Sequence, residues 1–179
     1  MFNKIKNIII AKILAILGFG AKGVYTVSIY GADGSLKSSD TFKNLIPNEG
    51  LIDILKCWNG QATAGSKYIG LGTATYTPVA TETGATVSTS VAEFVGYNES
   101  ARPQWVIPTI TGTTVDNSAS LAVFTANTTA TVKVVFLITD STKGGTAGKL
   151  ESVVNLPTAR ALSSGDVIKI QYGVTAISS

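Results

Sequence analysis

The spacing of hydrophobic and polar positions changes several times along the chain, and each change predicts an element. From Phe2 to Leu17 apolar residues dominate. Phe2, Ile5, Ile9, Ile13 and Ile16 recur at helical spacing with Lys4 and Asn7 on another side, and Ile8, Ile10, Leu14 and Leu17 widen the apolar surface almost all round. Gly18 and Gly20 end this pattern. "GVYTVSIY" (23–30) then alternates, Val24, Thr26, Ser28 and Tyr30 against Tyr25, Val27 and Ile29, which is the period of a strand. "GADG" and "SLKSSDTFKNLI" complete a hairpin. After Pro47, Leu51, Ile54, Leu55 and Trp58 return to helical spacing, with Asn48 as N-cap and Gly60 as stop, and predict a short helix packed on the sheet.

"KYIGLGTAT" (67–75) predicts a strand in which Gly70 and Gly72 mark a bulge or a close approach of another element. Tyr76 to Val91 is Thr-, Ala- and Gly-rich and reads as a surface excursion with a short helix around Val87 to Phe94. From Arg102 onward the runs "PQWVIPTITG", "TTVDNSA", "SLAVFTANTT", "TATVKVVFLITD", "GKLESVVNLPTAR" and "DVIKIQYGVTAIS" predict strands bounded by Asn, Asp, Gly, Ser or Pro. In the fourth run Val132, Val134, Phe136 and Ile138 share one face, and the other face turns apolar at Val135 and Leu137, as in a central strand covered on both sides. The expected fold is all-β: an antiparallel β-sandwich, jelly-roll-like or Ig-like, as a body over 23–179. An N-terminal hydrophobic helical arm over 1–22 precedes it, and one short helix packs on it.

Charge narrows the partners. Four of the 14 basic residues, Lys4, Lys6, Lys12 and Lys22, precede the first acid, Asp33, which leaves ten against 11 acids in the body. A nearly neutral body lacks the basic stripe that tracks phosphates, so no nucleic-acid partner is expected. The chain has no histidine and one cysteine, Cys57, in the apolar stretch "GLIDILKCW". That excludes an intramolecular disulfide, a histidine general base and a cysteine or histidine metal cluster, and Cys57 reads as a small buried hydrophobe.

The remaining candidates for chemistry are thin. "GLGTAT" lacks the third glycine of a dinucleotide loop, and "STKGGTAGK" lacks P-loop spacing and reads as a hairpin loop. Asp33, Asp116 and Asp140 are not set in a run of alternating oxygen ligands. Glu93 and Glu99 flank "FVGYN" without other polar partners. No enzyme, cofactor or metal is expected. "FVGYNESARPQW" is the most distinctive segment: Tyr97, Arg102 and Trp105 pin a long loop onto a sheet, with a Glu99–Arg102 ion pair, or anchor an interface, and the two roles are compatible.

The elements "KGVYTVSIYGADGSLKSSDTFKNLIPNEGLIDIL", "KYIGLGTATYTPVATET", "EFVGYNESARPQW", "VDNSASLAVFTANTTATVKVVFLITDSTKGGTAGKL" and "ALSSGDVIKIQYGVTA", in this order, resemble small β-rich virion structural proteins of tailed and related bacteriophages. The resemblance spans about residues 22 to 177, with "Y-N-E-x-x-R-P" and "N-S-A...F-T...T-x-K-x-x-F-L" as its most specific parts. It implies a phage structural protein without fixing a capsid, fibre or tail position, and the leading expectation is a capsid decoration or cement protein on the capsid surface, in the host cytoplasm before assembly. Its partners would be the major capsid protein or other virion proteins and further copies of itself, a trimer being favoured. The alternatives are a receptor- or carbohydrate-binding fibre, spike or tail module, with Tyr76, Tyr97 and Trp105 as stacking platforms, and a membrane-anchored surface protein.

The first residues have the layout of an export signal, but Lys12 interrupts the apolar run. Cleavage after Ala21 would put Phe19 where a small side chain is preferred. Ile8 to Ala21 is 14 residues, against roughly 20 needed to cross a bilayer, so a membrane contact is not favoured. The expectation is an assembly arm in which Phe2, Ile5, Ile9, Ile13 and Ile16 face a neighbour.

Overall fold

Where the sequence alternates, the chain extends. The structure, a computed structural model, describes residues 19–178. The expected helical arm, with Phe2, Ile5, Ile9, Ile13 and Ile16, lies outside the described residues. Within them are β1 (Phe19–Tyr30), β2 (Leu36–Lys43), β3 (Tyr68–Gly72), β4 (Thr114–Asp116), β5 (Ala122–Thr125), β6 (Ala130–Ile138), β7 (Leu150–Leu162) and β8 (Val167–Ser178). All pair antiparallel. One five-stranded sheet has the order β2-β1-β8-β4, with β5 also on β8, and a three-stranded sheet has the order β3-β6-β7. The chain is thus mostly β and antiparallel, as the alternation predicts. β1 begins at Phe19 rather than Gly23, because Phe19 to Lys22 pair with Ser178 to Thr175 of β8.

One buried cluster draws on both sheets. Tyr25, Val27 and Ile29 of β1 and Ile168, Ile170 and Tyr172 of β8 share it with Ile69 and Leu71 of β3 and Val135 and Leu137 of β6. A second cluster covers the other face of the three-stranded sheet, where Val134, Phe136 and Ile138 of β6 meet Val87 of α2 (Gly84–Ser90) and Val91 just beyond it. β6 is therefore covered on both faces, and removing a side chain such as Phe136 from water contributes roughly 1.5–3 kcal/mol. Val132 departs from the face predicted for it and joins the first cluster with Val135 and Leu137. The β6–β7 register explains this, since Val132 pairs with Arg160 while Val134 pairs with Asn155. The break of alternation lies on β6 between Val132 and Val134, while Val154, Leu156 and Leu162 of β7 keep to one face.

Gly70 marks a close approach, as predicted. A Cβ at Gly70 would lie 2.1 Å from Phe136 Cζ, so the phenyl ring rests on the β3 backbone where no side chain intervenes.

Other expectations shift. "PQWVIPTITG" forms no strand: Gln104 makes a single bridge to Tyr68, and the chain is irregular from Val106 to Gly112. Pro103 and Pro108 each remove a ladder donor from that run. The helix expected around Val87 to Phe94 is α2, which ends at Ser90, and Glu93 instead bridges Gly72. "STKGGTAGK" is the loop joining β6 to β7, as expected.

Candidate interaction site

The residues expected to anchor an interface are enclosed within the chain. Arg102 and Tyr97 are 2 % exposed and Trp105 is 9 % exposed. Arg102 does not pair with Glu99. Its Nε donates to Glu93 Oε1 at 2.8 Å and its Nη2 to Glu93 Oε2 at 2.7 Å, a fork-to-fork ion pair. The remaining donors reach the carbonyls of Asp140 and Gly145 and the Ser88 hydroxyl, each at 2.9 Å. The guanidinium also lies 5.5 Å from the centre of the Phe136 ring. Glu99 instead accepts from the Thr125 amide at 3.0 Å. Arg102 thus ties the loop after α2 to the β6–β7 loop, and only a guanidinium has enough donors to hold all these acceptors at once.

Tyr97 packs edge-on against Phe124 with ring centres 5.0 Å apart, and Lys143 lies over its other side at 3.8 Å. Burial pushes the Tyr97 hydroxyl well above the usual tyrosine range, with Glu93 adding to the effect. Trp105 donates from Nε1 to the Tyr172 carbonyl at 2.8 Å. Tyr97, Arg102 and Trp105 thus all pin this segment to the body. Tyr76 is half-buried and donates to Glu82 at 2.9 Å. The three stacking platforms of the glycan-binding alternative are therefore engaged internally.

The short helix expected after Pro47 packs on β7. α1 (Asn48–Trp58) follows Pro47, which occupies the N-cap position in place of Asn48. Leu51, Leu55 and Trp58 fall on one side of α1, and the buried residues, Gly50 and Asp53, on the other. A Cβ at Gly50 would lie 2.7 Å from the Glu151 carbonyl oxygen, so glycine lets the helix backbone settle directly on β7. Glu49 Oε2 accepts from the Leu150 amide at 2.6 Å and from the Gly84 amide at 2.7 Å. The helix is held by its polar side. Neither buried cluster includes a residue of α1, Leu51 and Leu55 are half-buried, and Trp58 is 76 % exposed. The sequence shows the apolar positions of this helix, but spacing alone does not say which side faces in.

Beneath α1 lies a charged cluster. Asp53 is hydrogen-bonded by Lys149, and Lys67 Nζ stands 3.5 Å from Glu151 Oε1. Burial pushes Glu151 up to about 7, with Lys67 opposing and neighbouring Asp53 reinforcing the shift. Burial also pushes Asp53 up, but hydrogen bonds from Lys149 and Glu151 outweigh it and hold its carboxyl below the usual value. Cys57, expected to be buried, is a half-buried free thiol on the same helix.

A groove of about 380 Å³ adjoins α1, lined by Ala21 to Val24 on one wall and by Lys43 to Ile46 and Leu51 on the other. It forms where β2 stops: Val24 pairs with Lys43, so from Phe19 to Lys22 the edge of β1 away from β8 has no strand partner among the described residues. A second groove, about 420 Å³, lies between Ala64 to Lys67 and Gln104 to Ile107. Val106, Ile107 and Ile110 beside it are exposed.

The acids considered for metal binding serve turns. Asp33 accepts from Ser35, Asp116 from the Ser118 amide and Asp140 from the Thr142 amide. Among the described residues no three His, Cys, Asp or Glu side chains are grouped to hold a metal ion, and no helix is long and apolar enough to cross a membrane. No family model matches the chain, and no curated protein matches it.

Proposed function

We propose that the chain is a structural protein of a bacteriophage virion, a decoration or cement protein that binds the capsid surface through protein contacts. The observation that carries this reading is Trp58, 76 % exposed near the end of α1 beside half-buried Leu51 and Leu55, none of which belongs to either buried cluster. An exposed tryptophan flanked by leucines is the kind of anchor that protein interfaces bury. Repetition over a shell makes a small contact effective, because neighbouring copies hold each one at high local concentration. The protein acts by burying apolar surface across junctions between capsid subunits, which resists expansion and rupture. No catalytic step or cofactor enters this reading. The two sheets, with one core between them, are read as a sandwich of the jelly-roll or Ig-like kind.

Heat release of the packaged genome tests the proposal. Particles carrying the protein should open at a higher temperature than particles without it, and Trp58→Ala should weaken retention on the particle. Equal release temperatures would remove the cement role.

A further inference from the structure

The way α1 stops brings a reactive pair of residues to the surface. The Gly60 amide donates to the Cys57 carbonyl at 3.3 Å and the Gln61 amide to the Lys56 carbonyl at 2.8 Å, which closes the last turn on itself. That closure needs a left-handed residue after the cap, and Gly60 supplies it with a φ of 74°. The same requirement sets a glycine directly after Asn59, and no other asparagine in the chain precedes glycine. Both residues are exposed.

We propose that Asn59 and Gly60 form a self-acting modification site, at which Asn59 loses its side-chain amide through a cyclic imide and becomes aspartate or isoaspartate. The Gly60 nitrogen gives up its proton and bonds to Asn59 Cγ, the Cγ–Nδ2 bond breaks, and Nδ2 leaves as ammonia with a proton returned from solvent. Water then opens the imide. Attack at Cγ restores the main chain and leaves aspartate, whereas attack at the Asn59 carbonyl carbon routes the chain through Cγ as isoaspartate. One water enters and one ammonia leaves, so the step needs no oxidant and no cofactor.

The local geometry favours each part of this reaction. A Cβ built on Gly60 would meet nothing within 4 Å, so its nitrogen is unshielded and Asn59, whose ψ is 9°, can rotate to bring that nitrogen to Cγ. The Gly60 bond to Cys57 lies at the long end of the hydrogen-bond range and holds its proton loosely. The Gln61 amide also donates to Asn59 Oδ1 at 3.1 Å. That oxygen takes up negative charge when the nitrogen adds to Cγ, and a donor already aimed at it stabilises the charge as it forms. Asn117 is the internal contrast. It is fully buried, its Nδ2 donates to the carbonyls of Ser120 and Ile170, and its Oδ1 accepts from the Tyr172 amide. Each conversion at Asn59 would put a carboxylate at the negative end of the α1 dipole, directly after Trp58.

Incubation of the full chain at neutral and at mildly alkaline pH tests this, with peptide mapping by mass spectrometry and enzymatic methylation of isoaspartate as readouts. The expected result is conversion at Asn59 in the folded chain, isoaspartate exceeding aspartate, a rate that rises with pH, and Asn117 unchanged. Asn59→Gln, which keeps the glycine stop, should abolish methylation, and Gly60→Ala should slow it several-fold. Conversion in urea but not in the folded chain would overturn the inference, as would methylation undiminished in Asn59→Gln. Mass alone reads the conversion, so the result stands or falls apart from the decoration role.

Discussion

Arg102 and Glu93 face each other as a two-pronged ion pair with side chains 0 % and 2 % exposed. Such a pair is costly to break and inexpensive to replace whole, because a buried charge without its partner keeps its desolvation penalty and loses the compensating attraction. Arg102→Met alone should cost about 3–5 kcal/mol of unfolding free energy. Arg102→Met with Glu93→Leu should recover only the part of that loss due to the stranded glutamate, because the carbonyls of Asp140 and Gly145 still lose their donor. Urea denaturation of the two variants beside the parent gives the comparison.

Stability should fall as pH rises through neutrality. Burial holds the folded-state value of Glu151 at about 7 against an ordinary 4.5, so the native protein binds this proton more tightly than the unfolded chain does. The contribution is complete below about pH 4.5 and is lost as pH rises through about 7, with a ceiling of about 3 kcal/mol. Asp53 is held below its ordinary 3.8 and acts in the opposite sense in more acidic solution, so the decline between pH 4.5 and 8 belongs to Glu151. Unfolding free energies measured across that range should slope downward for the parent, and Glu151→Gln should flatten the slope.

Ser152 holds a polar knot between the sheets. Its Oγ is 2.8 Å from the Tyr25 hydroxyl and 2.7 Å from Asn44 Nδ2, which also donates to the Tyr172 hydroxyl at 3.1 Å. Burial pushes Tyr172 up to about 12, so the phenol remains neutral throughout the physiological range. Ser152→Ala should cost about 1–3 kcal/mol, since it strands buried donors, whereas Ser28→Ala on the exposed β1–β2 face should change stability by under about 0.5 kcal/mol. Thermal unfolding of the two variants in parallel checks the contrast.

Gly70→Ala should destabilise the protein by about 1–3 kcal/mol, because the new methyl group would occupy the space of the Phe136 ring. Phe136→Leu removes the colliding ring edge. The double variant should therefore lose less than the sum of the two single losses, and a double-mutant cycle on chemical denaturation reads the difference.

The strands were legible where one face is buried and the other wet. Val27 and Ile29 alternate with Ser28 because β1 has a single covered face, and the signal is plain in the sequence. Val132 was assigned to the wrong face because strand period carries no mark of an irregularity within the strand, here on β6 between Val132 and Val134. Arg102 was singled out from its setting among aromatics, yet its partner was misjudged. Glu99 is nearer in sequence, but Glu93 is brought to the guanidinium by the turn after α2. α1 shows the limit most clearly. Its apolar spacing fixes that it is a helix with two unlike sides, whereas its seating depends on Gly50, the Leu150 amide and Lys149.

That seating divides the labour of the helix. Glu49, Gly50 and Asp53 hold α1 to the body, while Leu51, Leu55 and Trp58 contribute nothing to either buried cluster. Substitution at exposed Trp58 is therefore held back by folding far less than substitution at Gly50 or Asp53, so the surface character of α1 can change while every strand beneath stays as it is.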